Sequence, residues 1–384
     1  MEGITDNKNI YIGLMSGTSA DGIDAAAVEI VRIEGKVNCK LLAFENFSYP
    51  SDVRARIFGL FDTKNTSVDE LSRMNFLLGK LYGEAAEKLI SIHSINKNCI
   101  AAIGSHGQTV YHEPIGNIPN TLQIGEGSVI SRITGIPCVS DFRTADIAAG
   151  GNGAPLVPFT EYVLYSSAEK SIILQNIGGI SNSTVLKAGC APQDVFAFDN
   201  GPGNMLIDGL MNVFYGKDMD EGGRIASRGT VNQKLLNTLL NEPYYKIAPP
   251  KTTGRELFGK EYCKRIIALA EGLTKEAVIA TVTALTAKVI ANSYNDFIAT
   301  KCKIDELIVG GGGSYNPVLM NQLRNEMAMY DVSVYTQEDK GENSDAKEAV
   351  AFALLAYYTM HGLPNNLPTA TGAKHPAVLG KISF

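Results

Sequence analysis

The sequence predicts a two-domain α/β protein whose similar halves face one another, and three observations lead there. The chain has 384 residues, room for two domains with a core each. The pattern apolar run, small polar turn, apolar run occurs at residues 10–31 and again at 171–186, about one domain-length later, as a duplicated unit would place it. Apolar strands repeatedly empty into polar or Gly-rich stretches, where α/β sheets gather their ligands. The expected domains are 1–160, completed by the C-terminal segment, and 161–384, which carries a ledge of four glycines.

Composition narrows the function. Hydrophobic residues make up 45% and mean hydropathy is near zero, the balance of an ordinary soluble protein. The net charge of −6 and the lack of a basic stripe argue against nucleic-acid partners. The apolar stretches read as too short or too interrupted for a membrane span. The opening MEGITDNKN lacks the apolar core of a signal peptide. Six scattered cysteines with no CxxC pair suit reduced thiols, so a cytoplasmic location is expected.

The first hairpin is the stretch around which the rest of the chain is organised. Apolar runs at 10–15 and 23–31 flank Ser16, Gly17, Thr18, Ser19, Ala20, Asp21 and Gly22, with Ile23 and Asp24 opening the second run. Successive backbone N–H groups of small residues can form a nest for phosphate oxygens, and glycine lets the backbone come close. Asp21 and Asp24 could then hold a hydrated Mg²⁺, Asp21 being the first candidate ligand. The same residues equally describe a tight hairpin whose Ser, Thr and Asp satisfy their own backbone. A P-loop is excluded, because no Lys follows the glycines and a strand comes next.

Residues 41–66 read as a strand edge, a short helix and a polar turn. Helical spacing of apolar residues predicts a helix up to residue 92, with Ser67 and Glu70 as a capping box. A strand at 100–103 runs into SHGQTVYH, in which Gln108 and Thr109 are candidates for sugar hydroxyls and the histidines read as hydrogen-bonded loop residues. A strand at 136–140 empties into DFRTADIAAGGNGAPLVP, whose charges, glycines and prolines read as a mobile, ligand-facing loop. There Arg143 can grip a carboxylate in bidentate fashion or pair with Asp141 or Asp146, and Asp146 is itself a substrate-binding candidate.

In the second half, 171–186 offers Gly178 and Gly179 at its turn, placed to meet the same polyphosphate as the first hairpin. The strand 195–198 ends at Asp199, followed by NGPG and a helix from about Asn204. Asp199 reads as a general base at a strand's end or as a turn residue bonding its own backbone. A long helix is expected over 273–300, capped by Thr274. The strand ELIVG leads into four glycines, including Gly311 and Gly312, a flat ledge for a base or ribose. Asn316 and Pro317 then start a helix. The final helix, AKEAVAFALLAYY, carries Glu348 in its first turn.

Taken together, GTSADGID, SHGQTVYH, DFRTADIAAGGNGAPLVP, NIGGISN, FDNGPGN, PKTTGRE and VGGGGSYN occur in the order found in anhydro-N-acetylmuramic acid kinases, and the chain resembles that family from about residue 10 to its end. The resemblance implies a two-domain actin-like ATPase of duplicated ribonuclease-H-like domains around a central interdomain cleft. It implies ATP and Mg²⁺ as cofactors and 1,6-anhydro-N-acetylmuramic acid as substrate. The product would be N-acetylmuramic acid 6-phosphate, made in peptidoglycan recycling by a cytoplasmic enzyme for which the family suggests a homodimer. Carried over by motif, residues 17–24 resemble the ATP phosphate loop, Asp199 the catalytic aspartate, and Glu348 a carboxylate near metal and phosphates. A polar extension before residue 10, and Asn200 at a position where the family varies, are the departures. The rival readings are an ordinary hexose kinase of the same architecture and a non-enzymatic ATP-dependent clamp.

Overall fold

The computed structural model describes residues 9–17, 19–33 and 35–384. Thirteen strands are described: β1 Ile10–Met15, β2 Gly22–Ile33, β3 Lys36–Ser48, β4 Ile100–Ser105, β5 Gln108–Glu113, β6 Asn120–Ile124, β7 Cys138–Ser140, β8 Ile172–Ile177, β9 Ile180–Leu186, β10 Phe196–Pro202, β11 Glu306–Gly310, β12 Ser333–Thr336 and β13 Lys381–Ser383. Contacts divide the chain into two compact units. The first is the chain up to Leu164 together with Asp345–Phe384, and the second is Tyr165–Ser344. The last segment thus packs with the first unit.

In the first unit the sheet runs β13-β7-β4-β1-β2-β3. β1 and β2 form the expected antiparallel hairpin, Met15 facing Asp24, while β4 lies parallel to β1 and β7 parallel to β4. In the second unit the order is β10-β9-β8-β11-β12, with the β8–β9 hairpin antiparallel and β11 and β12 parallel to β8. Leaving β13 aside, both sheets have the order third, second, first, fourth, fifth, with only the second strand reversed. This is the duplicated ribonuclease-H-like topology of the actin-like fold.

Two helices show why these residues fold this way. Val68–Ile92 starts at Ser67, whose Oγ accepts from Glu70 N at 3.4 Å. The capping box is only half formed, because the Glu70 carboxylate accepts from Arg56 Nε at 2.7 Å instead. Its apolar face buries Leu78, Tyr82 and Leu89 in the core with Ile12, Leu14 and Ile103. Lys347–Met360 is apolar on nearly every side and lies directly on β1 and β4, which only glycine permits. A Cβ on Gly13 would sit 1.7 Å from the Ala349 carbonyl oxygen, and one on Gly104 2.1 Å from that of Phe352.

In the second unit Lys275–Phe297 is capped as expected, Thr274 Oγ1 accepting from Ala277 N at 3.2 Å. Against the sequence expectation, this helix is long and apolar enough to cross a membrane. Its apolar character has another cause, since Ile279, Leu285, Val289 and Ile290 are all buried between the unit's two hydrophobic clusters.

Three further expectations are corrected. Residues 141–158 are a loop only over 149–156, because Phe142–Ala148 is a helix and Val157–Tyr165 another. SHGQTVYH is largely strand β5, paired with β6. β10 does not end at Asp199 but continues through Pro202, with a register shift between Asp199 and Gly201 that marks a bulge.

Candidate active site

The turn between β1 and β2 is held from beneath. Ser16 Oγ donates to Gln108 Oε1 at 2.8 Å, and Gln108 Nε2 donates to the Gly17 carbonyl at 3.2 Å. Gln108 is fully buried, so its amide clamps the turn and is not presented to a sugar. The turn closes with Ala20 N donating to the Gly17 oxygen at 3.2 Å, and the space a Gly17 Cβ would enter is nearly open. Thr18 lies outside the described residues. Gly22 serves packing, since a Cβ there would meet the Phe47 oxygen at 2.5 Å, and the Ile23 side chain belongs to the core.

The carboxylates of this unit sort differently from the sequence reading. Asp21 is exposed and ion-paired with Arg54 at 2.7 Å, and Arg54 also reaches the Ser19 carbonyl. Asp24 is half-buried and accepts from Asn46 Nδ2 at 2.7 Å. Burial raises its carboxyl above the ordinary range, and the charges of Asp345 and Asp21 add to this. Glu348 is also raised, first by desolvation and then by Asp24, against the pull of Lys347 and Arg143. Two hard oxygen donors, both raised by burial and one raised further by the charge of the other, present the electrostatic problem a divalent cation relieves. Asp24 with Glu348 therefore fits Mg²⁺ better than Asp21, whose charge Arg54 already balances.

The next charged group of this unit is a half-buried cation. Arg143 donates through Nε to His106 Nε2 at 3.0 Å and through Nη1 to the Gly153 carbonyl at 2.7 Å. Neither expected ion pair forms. Asp141 goes to Lys381 at 3.1 Å. Asp146, wholly buried, accepts from Gly153 N, Asn366 Nδ2 and Thr371 Oγ1 at 2.7–2.8 Å. With both oxygens taken, Asp146 pins the glycine turn and cannot also bind substrate. Burial pushes the Arg143 guanidinium down to about 10, opposed by Glu348 and Asp146, so it stays a cation at neutral pH. Burial and that charge hold His106 well below the usual imidazole range. A neutral His106 accepting at Nε2 carries its proton on Nδ1, a buried atom with no partner among the described residues. Thr109 Oγ1 accepts from Gln123 Nε2 at 3.2 Å.

In the second unit, three strand ends meet within hydrogen-bonding reach. The Gly178 carbonyl accepts from Asn204 N at 2.7 Å, and that of Gly179 from Gly203 N and Met205 N at 2.9 and 3.1 Å. Gly311 has φ +83, and a Cβ there would meet Asn176 Oδ1 at 2.6 Å, so glycine is required both by conformation and by the close approach of β8. Gly312 faces open space, with Asn204 Nδ2 3.5 Å from its Cβ position. Asn316 is corrected from nucleotide contact to helix cap, because its buried Oδ1 accepts from Val318 N and Leu319 N.

Asp199 sits at the β10 bulge. Its backbone is fixed on both sides: the N–H donates to the Lys251 carbonyl at 3.1 Å, and the carbonyl accepts from Tyr244 OH at 2.9 Å. Its Oδ2 accepts from Thr253 N at 2.9 Å, while its Oδ1 meets no protein donor among the described residues. Burial raises its carboxyl and Glu256 adds to this, opposed by the Thr253 N–H and by Lys251. One oxygen is held and the other is free on a carboxyl of raised basicity, which is the geometry of a general base. Asn200 points to the opposite face, locked among Gln175, Ser181 and Ser183. The partners Tyr244, Lys251 and Thr253 escaped the sequence reading, although PKTTGRE was visible as a motif.

Comparison of the sequence with known proteins leads to one family. The family described as "Anhydro-N-acetylmuramic acid kinase" matches residues 9–384. A protein of that name from Caldanaerobacter subterraneus subsp. tengcongensis is 51% identical, covering 98% of this chain and 97% of its own. One from Bacillus anthracis is 44% identical over 98% of this chain and 99% of its own. Among solved structures, the (R)-2-hydroxyglutaryl-CoA dehydratase component A of Acidaminococcus fermentans covers 92% of this chain and 99% of its own, at 11% identity and a TM-score of 0.45.

Proposed function

The chain belongs to the anhydro-N-acetylmuramic acid kinase family, and on that premise we propose how its residues open and phosphorylate 1,6-anhydro-N-acetylmuramic acid with ATP. The substrate has no free hydroxyl at carbon 6, because that oxygen bridges to carbon 1. Asp199 takes a proton from a water whose oxygen bonds to carbon 1, as the base of an inverting glycosidase does. The carbon 1–oxygen 6 bond breaks, and oxygen 6 bonds to the γ-phosphorus of ATP as ADP leaves. The phosphoryl group accepts the leaving oxygen, the part a second carboxyl plays in a glycosidase. The observation that carries this reading is the half-satisfied carboxyl of Asp199, with Thr253 N–H on one oxygen and the other left open.

The turn between β1 and β2 receives the phosphates on backbone N–H groups other than that of Ala20, which closes the turn, and the Gly311–Gly312 ledge receives the nucleoside. Asp24 and Glu348 would hold Mg²⁺, which when bound neutralises charge on the phosphates. Labelled water tests the reaction. The product is expected to carry one label at carbon 1 and the mass of substrate, phosphoryl group and one water. A phosphorylated sugar without the added water would make the chain an ordinary hydroxyl kinase and end the proposal.

Arg143 is assigned to the lactyl carboxylate of the sugar, since its Nη2 has no protein partner among the described residues. Arg143→Ala is expected to raise KM for the lactyl-bearing sugar by roughly 10- to 100-fold, the worth of a charge-assisted hydrogen bond. An analogue lacking the lactyl group should feel little of this. An equal rise for both would remove Arg143 from that role.

A further inference from the structure

Lys251 is buried to 6% exposure and forms no ion pair among the described residues. Its ammonium lies 4.7 Å from the ring centroid of Tyr244, 4.7 Å from that of Phe297 and 6.0 Å from that of Phe198. Nζ donates to the carbonyls of Tyr244 and Tyr245, both at 3.4 Å. Burying a lysine without a carboxylate is costly, and a cage of three rings offsets only part of that cost. The ammonium is pushed down to about 8, chiefly by desolvation. A methionine would fill this space more cheaply, so packing alone does not explain the charge.

The cage is built from the groups that hold Asp199. Phe198 is the neighbour of Asp199 on β10. Tyr244 bonds the Asp199 carbonyl through its hydroxyl and stacks over the ammonium. The Lys251 carbonyl accepts the Asp199 N–H, and two residues further on Thr253 N–H reaches the carboxylate. Accepting the general-base reading of Asp199, we propose that Lys251 is a positioning residue for that base, its caged ammonium locking the 251–253 strap that orients the carboxylate and keeps it ionised. The charged and titratable groups around the pair are Asp296, Lys246 and Tyr244 toward Lys251, whose Nζ also meets the Tyr245 carbonyl, and Glu256 toward Asp199. Lys246 is itself paired with Asp296 at 3.3 Å. No other described cation acts on Asp199, so removing the Lys251 charge leaves burial and Glu256 to raise its carboxyl further. The base works ionised, so the acidic limb of the rate profile then moves to higher pH.

The test compares Lys251→Met with Lys251→Arg in the full-length enzyme, using ATP and the anhydro sugar. Lys251→Met is expected to lower kcat by roughly 10- to 100-fold, the cost of a misplaced catalytic group, with KM for ATP little changed and the acidic limb displaced upward. Lys251→Arg keeps a cation on the same rings and should recover most of the turnover and restore the limb. In an Asp199→Asn background, Lys251→Met should cost nothing further, because the group it positions is gone. Equal losses in the Met and Arg variants, or an undiminished loss in the Asp199→Asn background, would overturn the proposal. If Lys251→Met is not recovered folded, Lys251→Gln takes its place in every comparison. The two readings fail separately. Near-normal turnover of Asp199→Asn alone would sink the base, whereas a fully active Lys251→Met beside an inactive Asp199→Asn would sink only the lysine.

Discussion

Asp199→Asn is expected to lower turnover by roughly 10²- to 10⁴-fold, the range for loss of a general base, while KM for ATP stays near its original value. Asparagine is nearly isosteric, and its amide oxygen can still accept from Thr253 N–H, so the strap and the bulge remain in place. What is lost is an acceptor for the proton of the attacking water, without which the bond from carbon 1 to oxygen 6 has no nucleophile to replace it. The wild-type pH profile should show an acidic limb above the ordinary aspartate range, since burial and Glu256 outweigh the Thr253 N–H and Lys251. The sign follows from the protonation state: activity is present while the carboxyl is ionised and disappears as pH falls through its raised pKa. Steady-state rates on a variant with an unchanged circular dichroism spectrum decide the matter. A variant that turns over normally, or a wild type with no acidic limb above that range, would take Asp199 out of the reaction.

Much of this architecture was legible because hairpins and capped helices announce themselves locally. The β1–β2 and β8–β9 hairpins, Ser67 and Thr274 as caps, and the helix begun by Asn316 and Pro317 each need only neighbours in sequence. The misreadings share a different cause, which is partners far along the chain. DFRTAD looked like loop because its charges seemed unburiable, yet Asp146 finds Asn366 and Thr371 more than two hundred residues away, and Arg143 finds His106. Gln108 looked free to bind a sugar until Ser16 and Gly17 claimed it. Asp21 and Asp24 are indistinguishable as letters, and only Arg54 beside one and Glu348 beside the other separate a surface ion pair from a candidate metal ligand. Asp199 was recognisable by motif, but its basicity depends on burial and then on Thr253, Glu256 and Lys251, which pattern alone did not attach to it.

The second large effect expected lies in the fold and reaches the site through it. Gly13→Ala should lower the melting temperature by about 10 °C or more, from an overpacking cost of about 3 kcal/mol or above. The added methyl would stand 1.7 Å from the Ala349 oxygen and 2.8 Å from Ala353 N, both backbone atoms that no rotamer change can move. The Lys347–Met360 helix must then draw back from β1. It would strain the contacts of Phe352 with Phe142 and His106, and that of Tyr357 with Tyr11, which now lie at 4.8–5.4 Å between ring centroids. Glu348 sits on the first turn of this helix, beside the Ala349 that the methyl strikes, so its alignment with Asp24 shifts as well. Protein that still folds should need more Mg²⁺ for half-maximal activity, which separates displacement of the helix from a general loss of stability. Gly59→Ala supplies the control, since that glycine lies inside the Ser51–Leu60 helix with nothing within 4 Å of its Cβ position. There alanine should be neutral or stabilise by up to about 1 kcal/mol. Melting curves for both variants, followed by circular dichroism and by calorimetry, make the comparison. If Gly13→Ala melted with Gly59→Ala, the close approach of helix and sheet would not be what holds Glu348 in place.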